Sequence, residues 1–120
     1  MTTLTIRIGT LEDNAARFAE LDRMVEQGRS IPEAAPTLNF PDYEQMHHVL
    51  APARLAIVKA LAGQGPLSMR EVARRVGRDV QAVHRDVTRL INAGVIDRTE
   101  KGIEFPYERI HFDFDVQAAA

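Results

Sequence analysis

The sequence predicts an α+β protein: three consecutive helices closed by a short hairpin, with a strand–helix arm before them and a strand after them. Three observations carry this. Residues 2–9 and 110–116 alternate apolar and polar side chains, the pattern of half-buried strands. From Pro52 to Gly94 the apolar residues recur at helical spacing, interrupted at Gly63 and Gly77, where a residue without a Cβ can end a helix. Beyond Gly94, Val95–Thr99, a Lys101-Gly102 turn and Ile103–Phe105 read as a two-stranded hairpin.

The elements follow in order. Leu4, Ile6 and Ile8 share one face of the first strand, with Thr3, Thr5 and Arg7 on the other. Thr10 can cap a helix that carries Leu11, Ala15, Phe18, Leu21 and Val25 on one stripe and stops at Gly28. Residues 28–41 hold one glycine and three prolines and read as a linker. Asp42 with Gln45 opens a short helix to about Leu50. Pro52 then suits a first helical turn, and Leu55, Val58, Leu61 and Ala62 form its stripe. Ser68 and Glu71 have the spacing of a capping box, and the helix after them should bury Val72, Ala73 and Val76. Asp79 caps the next helix, which should bury Val80, Val83, Val87, Leu90 and Ile91. Ile110, Phe112, Phe114 and Val116 form the apolar face of the last strand, opposite His111, Asp113 and Asp115. The expected division is 1–51 arm and linker, 52–106 helical core with hairpin, and 107–120 terminal strand and tail.

Composition narrows the function. The chain has no cysteine, which removes disulfides and thiolate metal sites and suits a reducing cytoplasm, the expected location. No run approaches the roughly 18 apolar residues of a membrane span, so no membrane partner is expected. Net charge is -2, but it is unevenly spread. Residues 1–51 hold four arginines against eight acids, while 66–103 hold eight basic against five acidic side chains. Residues 104–120 are acidic again. A local basic segment between acidic arms attracts phosphates where it lies.

That segment contains the constellation that matters. Helix, helix, glycine turn, helix and hairpin is the order of a winged helix-turn-helix, which sets its third helix in the major groove of double-stranded DNA. Gln81, Ala82, His84, Arg85 and Arg89 are left outward on that helix. Gln81 and Arg85 have the donors and acceptors to read adenine and guanine edges. Ser68, Arg70, Arg74, Arg75 and Arg78 lie on or beside the preceding helix, where they suit phosphate contacts. Arg98 and Lys101 occupy the hairpin, placed for the minor groove or backbone. Asp86 should pair with Arg85, Arg89 or Lys101. The same fold can also serve as a protein-interaction module without DNA, which is the competing expectation. Adjacent His47 and His48 lack the i,i+4 spacing of a zinc pair, and no phosphate loop or catalytic set is present. Neither metal, cofactor nor enzymatic activity is expected.

These residues resemble the winged-helix transcription regulators of the MarR-like and ArsR-like kind. More closely, the chain resembles small prokaryotic DNA-binding proteins that begin Leu4-Thr-Ile-Arg-Ile-Gly-Thr-Leu-Glu-Asp13. It is similar to them again at Gly65-Pro-Leu-Ser-Met-Arg-Glu-Val-Ala-Arg-Arg-Val-Gly-Arg-Asp-Val-Gln-Ala-Val-His84. Val95-Ile-Asp-Arg-Thr-Glu100 and Phe105-Pro-Tyr-Glu-Arg-Ile-His-Phe-Asp-Phe114 complete the likeness, which is weakest over 14–51. The resemblance implies an autorepressing antitoxin of a toxin–antitoxin pair, with a toxin protein as second partner. A homodimer is expected, because the apolar faces of the two terminal strands need cover. Pairing them, within one chain or between two, makes Leu4, Ile6, Ile8, Ile110, Phe112 and Phe114 the expected dimer or partner contacts.

Overall fold

A computed structural model describes residues 2–9, 11–28 and 36–116, without the side chains of 11–14 and 16–18. The elements are β1 (Thr3–Ile8), α1 (Leu11–Glu26), β2 (Thr37–Phe40), α2 (Tyr43–Val49) and α3 (Pro52–Leu61), followed by α4 (Met69–Val76) and α5 (Val80–Asn92). The chain closes with β3 (Asp97–Thr99), β4 (Gly102–Glu104) and β5 (Arg109–Phe112). The fold is α+β, with five helices and two small sheets among the described residues. No described helix is long and apolar enough to cross a membrane.

The local signals set the helix boundaries. Asp42 accepts from the amide of Gln45 at 2.8 Å, and Ser68 from that of Glu71 at 3.1 Å. Asp79 accepts from the amides of Gln81 and Ala82. Each oxygen satisfies an N–H that the first helical turn leaves without a partner. Gly77 ends α4 in the left-handed region, its amide donating back to Ala73 and Arg74. The expected cap at Thr10 lies outside the described residues.

One core joins most of the elements. Leu4 and Ile6 from β1, Phe40 from β2 and Met46 from α2 are buried with Ile57, Val58 and Leu61 of α3. Val72 and Ala73 of α4, Val83, Val87 and Leu90 of α5, and Val95, Ile96, Ile103 and Phe105 of the hairpin region complete it. The cluster spans the first two expected segments, and Tyr107, Ile110 and Phe114 of the third pack against it, partly buried. Helices α3, α4 and α5 pack mutually, and full burial of each aliphatic side chain contributes about 1.5–3 kcal/mol.

The larger sheet has the order β2-β1-β5 and is parallel throughout. Thr5 to Ile8 lie beside Thr37 to Phe40, and Thr3 to Ile6 beside Arg109 to Phe112. β1 is therefore the central strand, closed on both sides within the chain. Of the two expected pairings of the terminal strands, within one chain or between two, the one within the chain is observed, and it leaves Leu4 and Ile6 little surface for a second copy. They are 4% and 0% exposed in a single chain, because their face of the sheet packs into the core. Ile8 also packs on the core.

Several smaller expectations change. The expected linker contains β2, whose four residues are too few to show a period between Pro36 and Pro41. The hairpin turn falls at Glu100-Lys101, because Thr99 pairs with Gly102. The last strand ends at Phe112, and Phe114 instead sets its ring edge-on to Tyr43. Val80 is 40% exposed, since it opens α5 ahead of the turn that meets α3 and α4. No described side chain of α1 joins the core, and Val25 is 56% exposed.

β4 has a second neighbour. Leu67 and Ile103 exchange both backbone hydrogen bonds at 2.8 Å, which ties the hairpin to the start of α4. Gly102 permits this approach: a Cβ there would sit 2.5 Å from the Leu67 carbonyl oxygen, and its φ is +139°. Gly102→Ala is expected to cost about 2 kcal/mol through combined strain and clash. Gly77→Ala, left-handed but facing open space, should cost about 1 kcal/mol. Thermal unfolding of both variants checks the ranking; equal losses would show that the hairpin yields.

Candidate nucleic-acid interface

Helix α5 divides cleanly. Val83, Val87 and Leu90 are buried, so 81, 84, 85 and 89 must point away from α3 and α4. Gln81, His84, Arg85 and Arg89 are exposed and Ala82 is half-buried. The expected outward set is thus presented on one face. Asp79 already occupies the amides of Gln81 and Ala82, which leaves the side chains of α5 as its means of contact.

The cations around α5 fall into two groups. Arg70, Arg85, Arg98 and Lys101 are exposed, and among the described residues none of them makes an ion pair. Arg74 and Arg75 share one acid. Arg74 donates its Nε to Glu71 at 2.9 Å and adds a second, shorter bond, while Arg75 Nε donates to the same carboxylate at 2.8 Å. Hydrogen bonds from Arg74 and then Arg75 hold Glu71 down to about 2 from its ordinary 4.5, and Arg74 is raised in return. Glu71 therefore completes only half of the expected capping box, since its carboxylate turns to the arginines. Arg75 also reaches Gln64 Oε1 at 2.9 Å, which draws it toward the end of α3.

Arg78 departs furthest from expectation. It forms an ion pair with Asp86 at 2.8 Å, and Arg54 pairs with the other carboxylate oxygen at 3.1 Å. The Arg54 and Asp86 side chains are 13% and 14% exposed. Asp86 thus takes its partners from α3 and from the turn before α5, not from Arg85, Arg89 or Lys101. Burial alone would raise the Asp86 carboxyl, but hydrogen bonds from Arg78 and Arg54 outweigh it and bring it below its ordinary 3.8. Arg54 continues the network by donating to the carbonyls of Val49, at 2.7 Å, and His48. It clamps the end of α2 and the start of α3 onto α5. Arg78 becomes a positioning residue that sets the angle of α5, and Arg54 joins it.

Arg54 escaped the sequence reading because one arginine in the first turn of a helix has no local signature. His48 escaped it too. Its Nε2 lies 3.0 Å from Arg89 Nη1, which brings α2 to the rim of the α5 face. Only Arg89's position on the outward stripe hints at a neighbour there. On the terminal sheet, Arg7 pairs with Asp113 at 2.6 Å. Ser68 is engaged as a cap. Among the described residues no cluster of three or more histidine and acidic side chains is arranged to hold a metal.

No curated protein matches the chain. The model of the HVO_A0114 family matches residues 49–112, just over half of the chain, from the end of α2 through β5. The match takes in the Arg54–Asp86–Arg78 network, the outward face of α5 and the hairpin. The chain belongs to the HVO_A0114 family.

Proposed function

We propose that α3, α4, α5 and the β3–β4 hairpin form a winged helix-turn-helix that binds double-stranded DNA sequence-specifically, as the reading part of a homodimeric transcriptional regulator. One observation carries this. The buried stripe of α5 leaves Gln81, His84, Arg85 and Arg89 outward together, while the unpaired cations Arg70, Arg98 and Lys101 lie on the elements to either side. Base-reading groups on a helix and phosphate-binding groups around it are the two components such an interface needs. The role of an autorepressing antitoxin rests on the sequence resemblance, with a toxin protein as the second partner.

The competing use, a winged helix that contacts only proteins, is favoured by a different observation. Glu71 and Asp86 each bridge two arginines, Arg74 with Arg75 and Arg78 with Arg54, which offsets half of their charge toward a polyanion. The two are separated by substitution. Arg85→Ala should lower discrimination between operator and random duplex by roughly 10- to 100-fold, since base contacts are worth about 1–3 kcal/mol. Arg70→Ala should weaken both duplexes equally. Fluorescence anisotropy on the two duplexes reads this directly. Equal losses from both substitutions would move the recognition face elsewhere, and no binding by the parent protein would favour the protein-only use.

A further inference from the structure

We infer that the open edge of β5 is the surface on which a second copy of this chain docks, antiparallel and centred on His111, giving a six-stranded sheet. β5 is the last strand of its sheet. The amides of Arg109 and Asp113 donate to the carbonyls of Thr2 and Ile6 beside it, at 3.3 and 2.9 Å. Alternation along the strand then turns the backbone groups of Ile110 and Phe112 to the open side. An edge of this kind is a template for another strand.

The occupant follows from the residue order Arg109-Ile-His-Phe-Asp113. In an antiparallel pair centred on His111, Ile110 lies opposite the second copy's Phe112, and Phe112 opposite its Ile110. Each of these pairs exchanges both hydrogen bonds, so the four outward backbone positions are all used. On the polar face, Arg109 lies opposite the second copy's Asp113, twice over by symmetry. Arg109 is held in place by its Nε bond to Thr3 Oγ1 at 3.0 Å, and Asp113 by Arg7. The apolar face fits as well. Phe112 is 38% exposed beside a pocket of about 250 Å³ lined by Leu55, Val58, Ala62, Phe105 and Ile110, and the second copy's Phe112 would lie over it. A register shifted by one residue needs Phe114 and Asp115 in the strand, but β5 ends at Phe112 and Phe114 packs on Tyr43.

This names the contact of the homodimer proposed above, and it is tested without DNA, so its failure leaves the DNA-binding proposal standing. The chain has no cysteine, so any disulfide reports an introduced residue. Two facing residues at the centre of such a pair have Cα atoms about 4.5 Å apart, within disulfide reach. Full-length His111→Cys should cross-link to a covalent dimer under mild oxidation, well ahead of Lys101→Cys on the hairpin. Charge reversal supplies an independent arm. Arg109→Asp and Asp113→Arg should each weaken self-association about 10-fold or more, since each sets like charges opposite one another. Their equimolar mixture sets every pair right again and should restore dimers, as read by sedimentation velocity and native mass spectrometry. A monomeric parent protein at tens of micromolar overturns the inference. So does cross-linking of His111→Cys no faster than Lys101→Cys, or a mixture that associates no better than its folded components.

Discussion

Asp86→Ala is expected to destabilise the protein by about 3 kcal/mol and to lower its melting temperature by roughly 10 °C. Asp86 is 14% exposed and bridges two arginines, one of them about as buried. Removing it leaves Arg54 without a counterion at the junction of α2, α3 and α5, and the uncompensated charge dominates the loss. The pH dependence has a definite sign. The folded carboxyl titrates below its ordinary 3.8, so its contribution is complete above about pH 4 and is lost as pH falls through the lower, folded value. Asp86→Asn should therefore be less stable at neutral pH and should lack that part of the acid sensitivity. Chemical denaturation at pH 7 and at pH 3 measures both effects. A loss under 1 kcal/mol at pH 7 would mean that solvent screens the network.

The same substitution bears on function. Arg54 and Arg78 hold α5 through Asp86, so under the proposed function Asp86 would aim the outward face of α5 from behind it. Asp86→Ala should weaken operator binding even where the protein remains folded, because base contacts need positioning within a fraction of an ångström.

What could be read in the sequence was what neighbouring residues decide. Asp42, Ser68 and Asp79 sit immediately before helices they cap, and the stripe Val83, Val87, Leu90 fixes which face of α5 is left outward. These signals span a few residues, so one sequence carries them. β2 was hidden because its pairing with β1 is parallel and is decided across the intervening α1; its own alternation, Thr37-Leu38-Asn39-Phe40, is too short to stand out between two prolines. The partners of Asp86 were hidden for a similar reason. Arg54 is 32 residues away along the chain, while nearer arginines offered plausible pairs. The ion pairs of Arg75 with Glu71 and of Arg78 with Asp86 were hidden as well, because sequence shows charge but not which acid claims it. Leu4 and Ile6 were seen to need cover, and the core of the same chain supplies it.

DNA binding has the second large expected effect. Arg70, Arg98 and Lys101 on each of two protomers would neutralise about six phosphates, which gives a slope of log K against log salt near -5. Affinity for a duplex carrying the promoter of its own gene should then fall about 1,000-fold between roughly 50 and 200 mM salt. Lys101→Ala removes one such contact per protomer and should reduce the slope by nearly 2 without altering sequence preference. The most direct test of the account is that salt titration, run by anisotropy on the full-length protein with the promoter duplex and a random duplex of equal length. The account predicts a slope near -5 on the promoter and a preference for it over random DNA at every salt concentration. An affinity indifferent to salt, or no binding to either duplex, would contradict it.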